Sequence, residues 1–114
     1  MKRLKTSEVG ISTEFIKKLG AQPDIIKDEG TFPTYHRITF ITEKGTFFAF
    51  WDDSDNTIRI TCEGRPGANH NKLLNGLKRK VRGIAFPDGV VCRSRVLRGD
   101  ENELSVLAIS FFTK

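Results

Sequence analysis

Three runs of residues, 35–43, 46–51 and 57–63, follow one another across short polar turns, and this spacing restricts the chain's fold more than any other feature. Successive strand side chains point to opposite faces, so an alternating pattern marks a strand with one face buried. In the first run Ile38 and Phe40 alternate with Arg37, Thr39 and Ile41; in the third Ile58, Ile60 and Cys62 alternate with Arg59, Thr61 and Glu63. The middle run is aromatic and β-branched in character. The turns at Lys44-Gly45 and Asp52-Asp53-Ser54-Asp55-Asn56 suit antiparallel neighbours, and an antiparallel meander is expected.

Two helices flank this meander. Residues 7–19 space Ile11, Phe15, Ile16 and Leu19 helically, Gly20 supplies a left-handed stop, and Ser12 can cap a shorter helix starting at Thr13, because Gly10 weakens the earlier start. Residues 21–33 read as a connector, with a short strand conceivable at 24–27. After the break Gly64-Arg65-Pro66-Gly67, residues 71–82 form an amphipathic helix capped by Asn69 or Asn71 and ended by Gly83. Leu73, Leu74, Leu77 and Val81 share one face and Lys72, Asn75, Arg79 and Arg82 the opposite one. Gly76 in its middle calls for an offset such as close approach of another backbone.

Residues 90–97 and 104–112 read as two more strands, the last apolar on both faces like a central or doubly covered strand. As an uncovered edge that strand would invite dimerisation. The fold class expected is α+β: a small single domain, 1–114, with an antiparallel sheet of about five strands and two helices in the order α-β-β-β-α-β-β. Through the second helix this order is similar to that of double-stranded-RNA-binding domains, whose lysine signature is not matched by Asn69-His70-Asn71-Lys72. The double-wing DNA-binding half of a phage transcription factor is similar in element order, with no motif in common. Likeness of order bears on fold and not on activity.

With 114 residues, 38% of them hydrophobic, the chain can bury a core without disulfide or metal support. Cys62 and Cys92 are its two cysteines, and the polar start Met1-Lys2-Arg3-Leu4-Lys5 lacks the apolar stretch of a signal peptide. A reducing, cytoplasmic setting is expected. No apolar run approaches the roughly 18 residues a membrane span needs, so no membrane partner is expected.

Charge supplies the functional clue. The chain carries net +5, but residues 64–99 alone hold nine Lys or Arg against Asp88, a local +8. Such asymmetry suits a polyanionic partner. The expected function is non-enzymatic nucleic-acid binding, duplex DNA slightly ahead of RNA. Lys72, Arg79 and Arg82 would hold phosphates and Lys78 and Lys80 add field. Asn71 and Asn75 could reach base edges, and Arg93, Arg95 and Arg98 would form a second line of charge.

Strand alternation offers a second surface. If Ile38, Phe40, Phe48, Phe50, Ile58, Ile60 and Cys62 face the helices, the other side displays Arg37, Phe47, Trp51, Arg59, Arg93 and Arg95, a platform for stacking unpaired bases. Alternatively the sheet curls and Phe47, Trp51, Leu107 and Ile109 form a second small core. A different class of function is a protein-binding inhibitor or modifier of a larger complex such as a polymerase or nuclease, of the kind phages encode, recognising an acidic protein surface. Catalysis would draw on His36, His70, Cys62 and Cys92, and a divalent cation on Asp52, Asp53 and Asp55. None of these spacings is diagnostic, and no catalytic residue, metal or cofactor is expected. The Gly64–Gly67 break lacks P-loop and dinucleotide-site spacing and reads as a turn. Monomer and dimer are both compatible with the sequence.

Overall fold

The alternating runs pair into one antiparallel sheet. A computed structural model describes residues 2–22, 27–28, 33–64, 68–99 and 103–114. Its strands β1 (Lys27–Asp28), β2 (Tyr35–Thr42), β3 (Gly45–Asp52), β4 (Thr57–Cys62), β5 (Val90–Leu97) and β6 (Val106–Thr113) lie in the order β1-β2-β3-β4-β6-β5. Helices α1 (Thr6–Val9), α2 (Thr13–Lys18) and α3 (Ala68–Arg82) complete it. The α+β class stands, with six strands and three helices among the described residues where five and two were expected. None of these helices is long and apolar enough to cross a membrane.

The additional elements have local causes. The expected helix over 7–19 is broken by Gly10, whose φ of +77° puts it in the left-handed region, where its N–H donates to the Thr6 carbonyl. Ser12 then caps α2 by accepting the Glu14 N–H at 3.3 Å. α1 docks on the β3–β4 turn, its Thr6 hydroxyl donating to the Asp52 carbonyl at 2.9 Å. The sixth strand, β1, is a two-residue pairing with β2 through Lys27↔Thr39 and Asp28↔Ile38. Of the strand conceived at 24–27, Lys27 belongs to β1 and 24–26 lie outside the described residues.

Register decides which face is buried. A two-residue turn at Glu43-Lys44 pairs Thr42 with Gly45, Phe40 with Phe47 and Ile38 with Ala49. β3 then pairs Phe47 with Cys62 and Ala49 with Ile60, and β4 pairs Ile60 with Leu107 and Ile58 with Ile109. All of these positions face one way, and all except Thr42 and Gly45 belong to one buried cluster with Phe15, Ile16 and Leu19 of the α2 region and Leu74, Leu77 and Val81 of α3. Phe111 meets the rings of Phe15 and Phe86 at 6.4 and 5.6 Å. The grouping expected from alternation is therefore corrected in β3: Phe47 and Trp51 are core, 1% and 2% exposed, while Phe48 and Phe50 face away from the helices. Leu107 and Ile109 lie in this same core, not in a second one.

β6 is central, between β4 and β5, so the sheet's long edge is β5 and the last strand offers no free edge for a dimer. β6 is covered on one face only, its burial alternating along the strand. α3 starts at Ala68, earlier than expected, which places Asn69 and Asn71 inside the helix and not at its cap. Gly76 costs about 1 kcal/mol relative to Ala in a helix interior. The expected backbone approach does not offset it, since a Cβ there would meet nothing within 4 Å.

The register makes a direct prediction for two adjacent residues. Phe47→Ala should lower the unfolding free energy by about 3–5 kcal/mol and Phe48→Ala by about 1 kcal/mol, read from urea denaturation. The reverse order would contradict the pairing of β2 with β3.

Candidate nucleic-acid interface

The same register that buries Phe47, Ala49 and Trp51 leaves the opposite face of the sheet without a helix over it. One cross-strand row runs over five strands of this face: Arg37 of β2 pairs with Phe50 of β3, Phe50 with Arg59 of β4, Arg59 with Ala108 of β6, and Ala108 with Arg95 of β5. Arginines in the row stand two strands apart, about 10 Å at the usual strand spacing. Phe48 lies on the same face one step along β3, Arg93 one step beyond Arg95, and Phe112 two steps beyond Ala108, opposite Val91. Arg37, Arg59, Arg93 and Arg95 are exposed, and Phe48, Phe50 and Phe112 are half-buried.

The N-terminal segment adds a fifth arginine. Arg3 bridges to Phe112, held there by the Leu4 N–H donating to the Phe111 carbonyl at 2.9 Å and the Thr113 N–H donating to the Lys2 carbonyl at 2.8 Å. A groove of about 800 Å³ runs between Arg3, Arg59, Arg93 and Arg95 with Phe112 and Ala108 in its floor, and reaches over the β5 edge to Arg82. The Arg93 guanidinium lies 5.3 Å from the centroid of the Phe112 ring, within cation–π range.

Among the described residues Lys17 forms an ion pair with Glu14 and the His36 ring lies within 4.0 Å of the Asp28 and Asp53 carboxylates; Arg3, Arg37, Arg59, Arg82 and Arg95 have no carboxylate of the described residues within 4.0 Å. Asp52 shares the open face but is turned into the β3–β4 turn. There its carboxylate accepts the Ser54 N–H at 3.0 Å and the Ser54 hydroxyl at 2.8 Å, and those bonds hold its pKa below the ordinary value.

The expected helix-centred site is divided by the fold. α3 packs on the core face of β4, β5 and β6, so Lys72 and Arg79 project from the side of the molecule opposite Arg37, Arg59, Arg93 and Arg95. Arg82, beside Cys92 and Ser94, is where the two fields meet. Lys78 is half-buried, and the Lys80 ammonium reaches the Leu19 carbonyl at 3.5 Å, at the end of α2. Arg98 is exposed just past β5. Asn71 accepts a hydrogen bond from the Ser105 hydroxyl and is occupied in holding α3 to the approach of β6, not free to read bases. Asn75 donates to the Asn71 carbonyl at 2.8 Å. Phe47 and Trp51, buried in the core, cannot stack with a ligand.

Neither catalytic grouping considered from the sequence assembles. His36 lies opposite Trp51 and Cys62 opposite Phe47, four residues apart along β3 or about 13 Å. His36 instead stacks on Trp51 at 5.0 Å and shares a 2.8 Å hydrogen bond with Asp53. His70, in the first turn of α3, is buried. Among the described residues no three His, Cys, Asp or Glu side chains are grouped to hold a metal ion.

Phe48, Phe50, Phe112 and Arg3 were not among the expected site residues. The hairpin turns carried the signal for the first two. With a two-residue turn, an even-numbered residue of β2 must face an odd-numbered residue of β3, which ties Phe40 to Phe47 and sends Phe48 and Phe50 outward. Arg3 had no comparable signal, since its place depends on pairing with residues at the far end of the chain.

Burial pushes the Cys92 thiol up to about 11 and raises that of Cys62 as well, so both are held as neutral thiols near neutral pH. Alkylation of Cys92 by iodoacetamide should climb steadily from pH 8 to pH 10, at rates more than about 100-fold below a free cysteine at pH 8, as its small thiolate fraction dictates. A plateau near pH 9 would show an ordinary, unburied thiol.

No protein-family model, curated protein or solved structure matches this chain.

Proposed function

We propose that this protein binds nucleic acid without chemistry of its own, through the open face of the sheet, and that unpaired strands are its preferred form. The observation that carries the reading is the row Arg37-Phe50-Arg59-Ala108-Arg95, in which three guanidinium groups flank an aromatic ring with no carboxylate partner among the described residues. Guanidinium groups at these intervals suit a backbone running across the strands, and the rings of Phe50, Phe48 and Phe112 suit bases laid flat between them. A broad sheet face with no helix on it to enter a groove fits a duplex poorly, which moves the preference from duplex DNA to single strands. The cations of α3 add long-range attraction from the other layer, and Arg82 extends the contact around β5.

The second reading is an acidic protein segment, and the observation favouring it is β5 itself. It is an eight-residue edge flanked by Arg82, Arg93, Arg95 and Arg98, open on one side to an added strand. Nucleic acid takes precedence because the half-buried phenylalanines lie on the face, away from that edge.

Charge and stacking separate in a binding experiment. Four phosphate contacts predict a salt slope of about −3 for a single strand, so affinity for a labelled thymidine 12-mer should fall ~50-fold between 50 and 200 mM salt in fluorescence anisotropy. Arg59→Glu should weaken binding and flatten that slope. Phe50→Ala should weaken binding about 5- to 150-fold with the slope unchanged. Equal loss of duplex and single-strand binding in Arg79→Glu, with none in Arg59→Glu, would transfer the interface to α3. Absence of binding at 50 mM salt would refute nucleic acid as the partner.

A further inference from the structure

The other large groove lies on the opposite layer, between α3 and the β2–β3 hairpin. It encloses about 800 Å³, within the range of small-molecule sites. Asn69, Lys72, Leu73, Gly76, Arg79 and Lys80 line it from the helix at intervals of one, three and four residues, a single stripe with the glycine in the middle. Any side chain at Gly76 would project into open space, since a Cβ there has no neighbour within 4 Å. The helix thus carries its least favourable non-proline residue at a place where the fold has no steric need of it, and where a bound molecule would.

The lining states what that molecule must be. Lys44, Lys72, Arg79 and Lys80 surround the groove with no carboxylate among the described residues of its walls, more positive charge than a single carboxylate requires. Its apolar lining is the half-buried Leu73, with the core side chains of Phe47 and Leu77 behind it, and would be wasted on a bare phosphate. The side-chain amides of Asn69 and Asn75 offer donors and acceptors for the edge of a heterocycle. Lys80 is already steadied by the Leu19 carbonyl at 3.5 Å.

From these features we infer that the groove is a site for a nucleoside polyphosphate, with the base against Leu73 beside Gly76 and the phosphates on the four cations. The ligand is either a free nucleotide or the triphosphorylated end of a strand. This site goes beyond the open-face reading and is independent of it, since the sheet lies between the two.

Isothermal titration of the full chain with each nucleoside triphosphate and with inorganic tripolyphosphate tests the inference. At least one nucleotide should bind ten-fold or more tighter than tripolyphosphate. Gly76→Leu should weaken that nucleotide at least ten-fold while its melting temperature stays at or above that of the unaltered protein, because leucine is the better helix former and meets no neighbour. Competition by a 5′-triphosphorylated oligonucleotide but not by its 5′-hydroxyl counterpart identifies a strand end as the source; competition by neither identifies the free nucleotide. Equal affinity for tripolyphosphate and nucleotides, no nucleotide binding at millimolar concentration, or undiminished binding by Gly76→Leu would each overturn the assignment.

Discussion

The direction in which β3 turns its side chains governs everything else in this molecule. Phe47, Ala49 and Trp51 go under the helices, and Phe48 and Phe50 are left on the other side. Because side chains alternate strictly along a strand, a slip of one residue would exchange these sets and put half-exposed rings in the core and Trp51 in solvent. Two pairings fix the choice from either side: Phe40 opposite Phe47 in the hairpin, and Cys62 opposite Phe47 in the next strand. The large buried rings and the isoleucines of β4 make that register the one that fills the space beneath α2 and α3.

Much of this architecture is legible in the chain. The alternation of Ile38 with Arg37, and of Ile58 and Ile60 with Arg59, marks strands and their buried faces directly. The stripe of Leu74, Leu77 and Val81 marks the helix that covers them. β3 defeats simple alternation because its positions 47–51 are all apolar, so that only the turn length distinguishes the two faces. The break of the first helix is visible in Gly10, although not the docking of α1 onto the Asp52 carbonyl, which depends on a partner some 46 residues away. The interior place of β6 is likewise a long-range fact. The chain leaves β4, crosses by α3 to β5, and returns to fill the gap between them.

The same distinction separates the readable from the hidden parts of the candidate sites. A local excess of positive charge over 64–99 is plain from composition, but its division between two layers is not. The sheet keeps Lys72 and Arg79 from acting with Arg93 and Arg95 as one ridge. In place of that ridge the molecule has two basic surfaces of different character: a broad open face where arginines flank half-buried rings, and an enclosed groove with an apolar lining. The first suits an extended chain of phosphates and bases, the second a compact anion. Arg37 and Arg59 join the first surface from strands outside the basic segment, through cross-strand pairing alone.

Ultraviolet cross-linking of the protein to a thymidine-rich single strand, with the adducts located by mass spectrometry of the digested complex, addresses the open face most directly. Adducts on Phe48, Phe50 or Phe112 are expected, because these half-buried rings share the helix-free face of the described sheet. Adducts confined to α3, or spread without preference over the surface, would contradict the account.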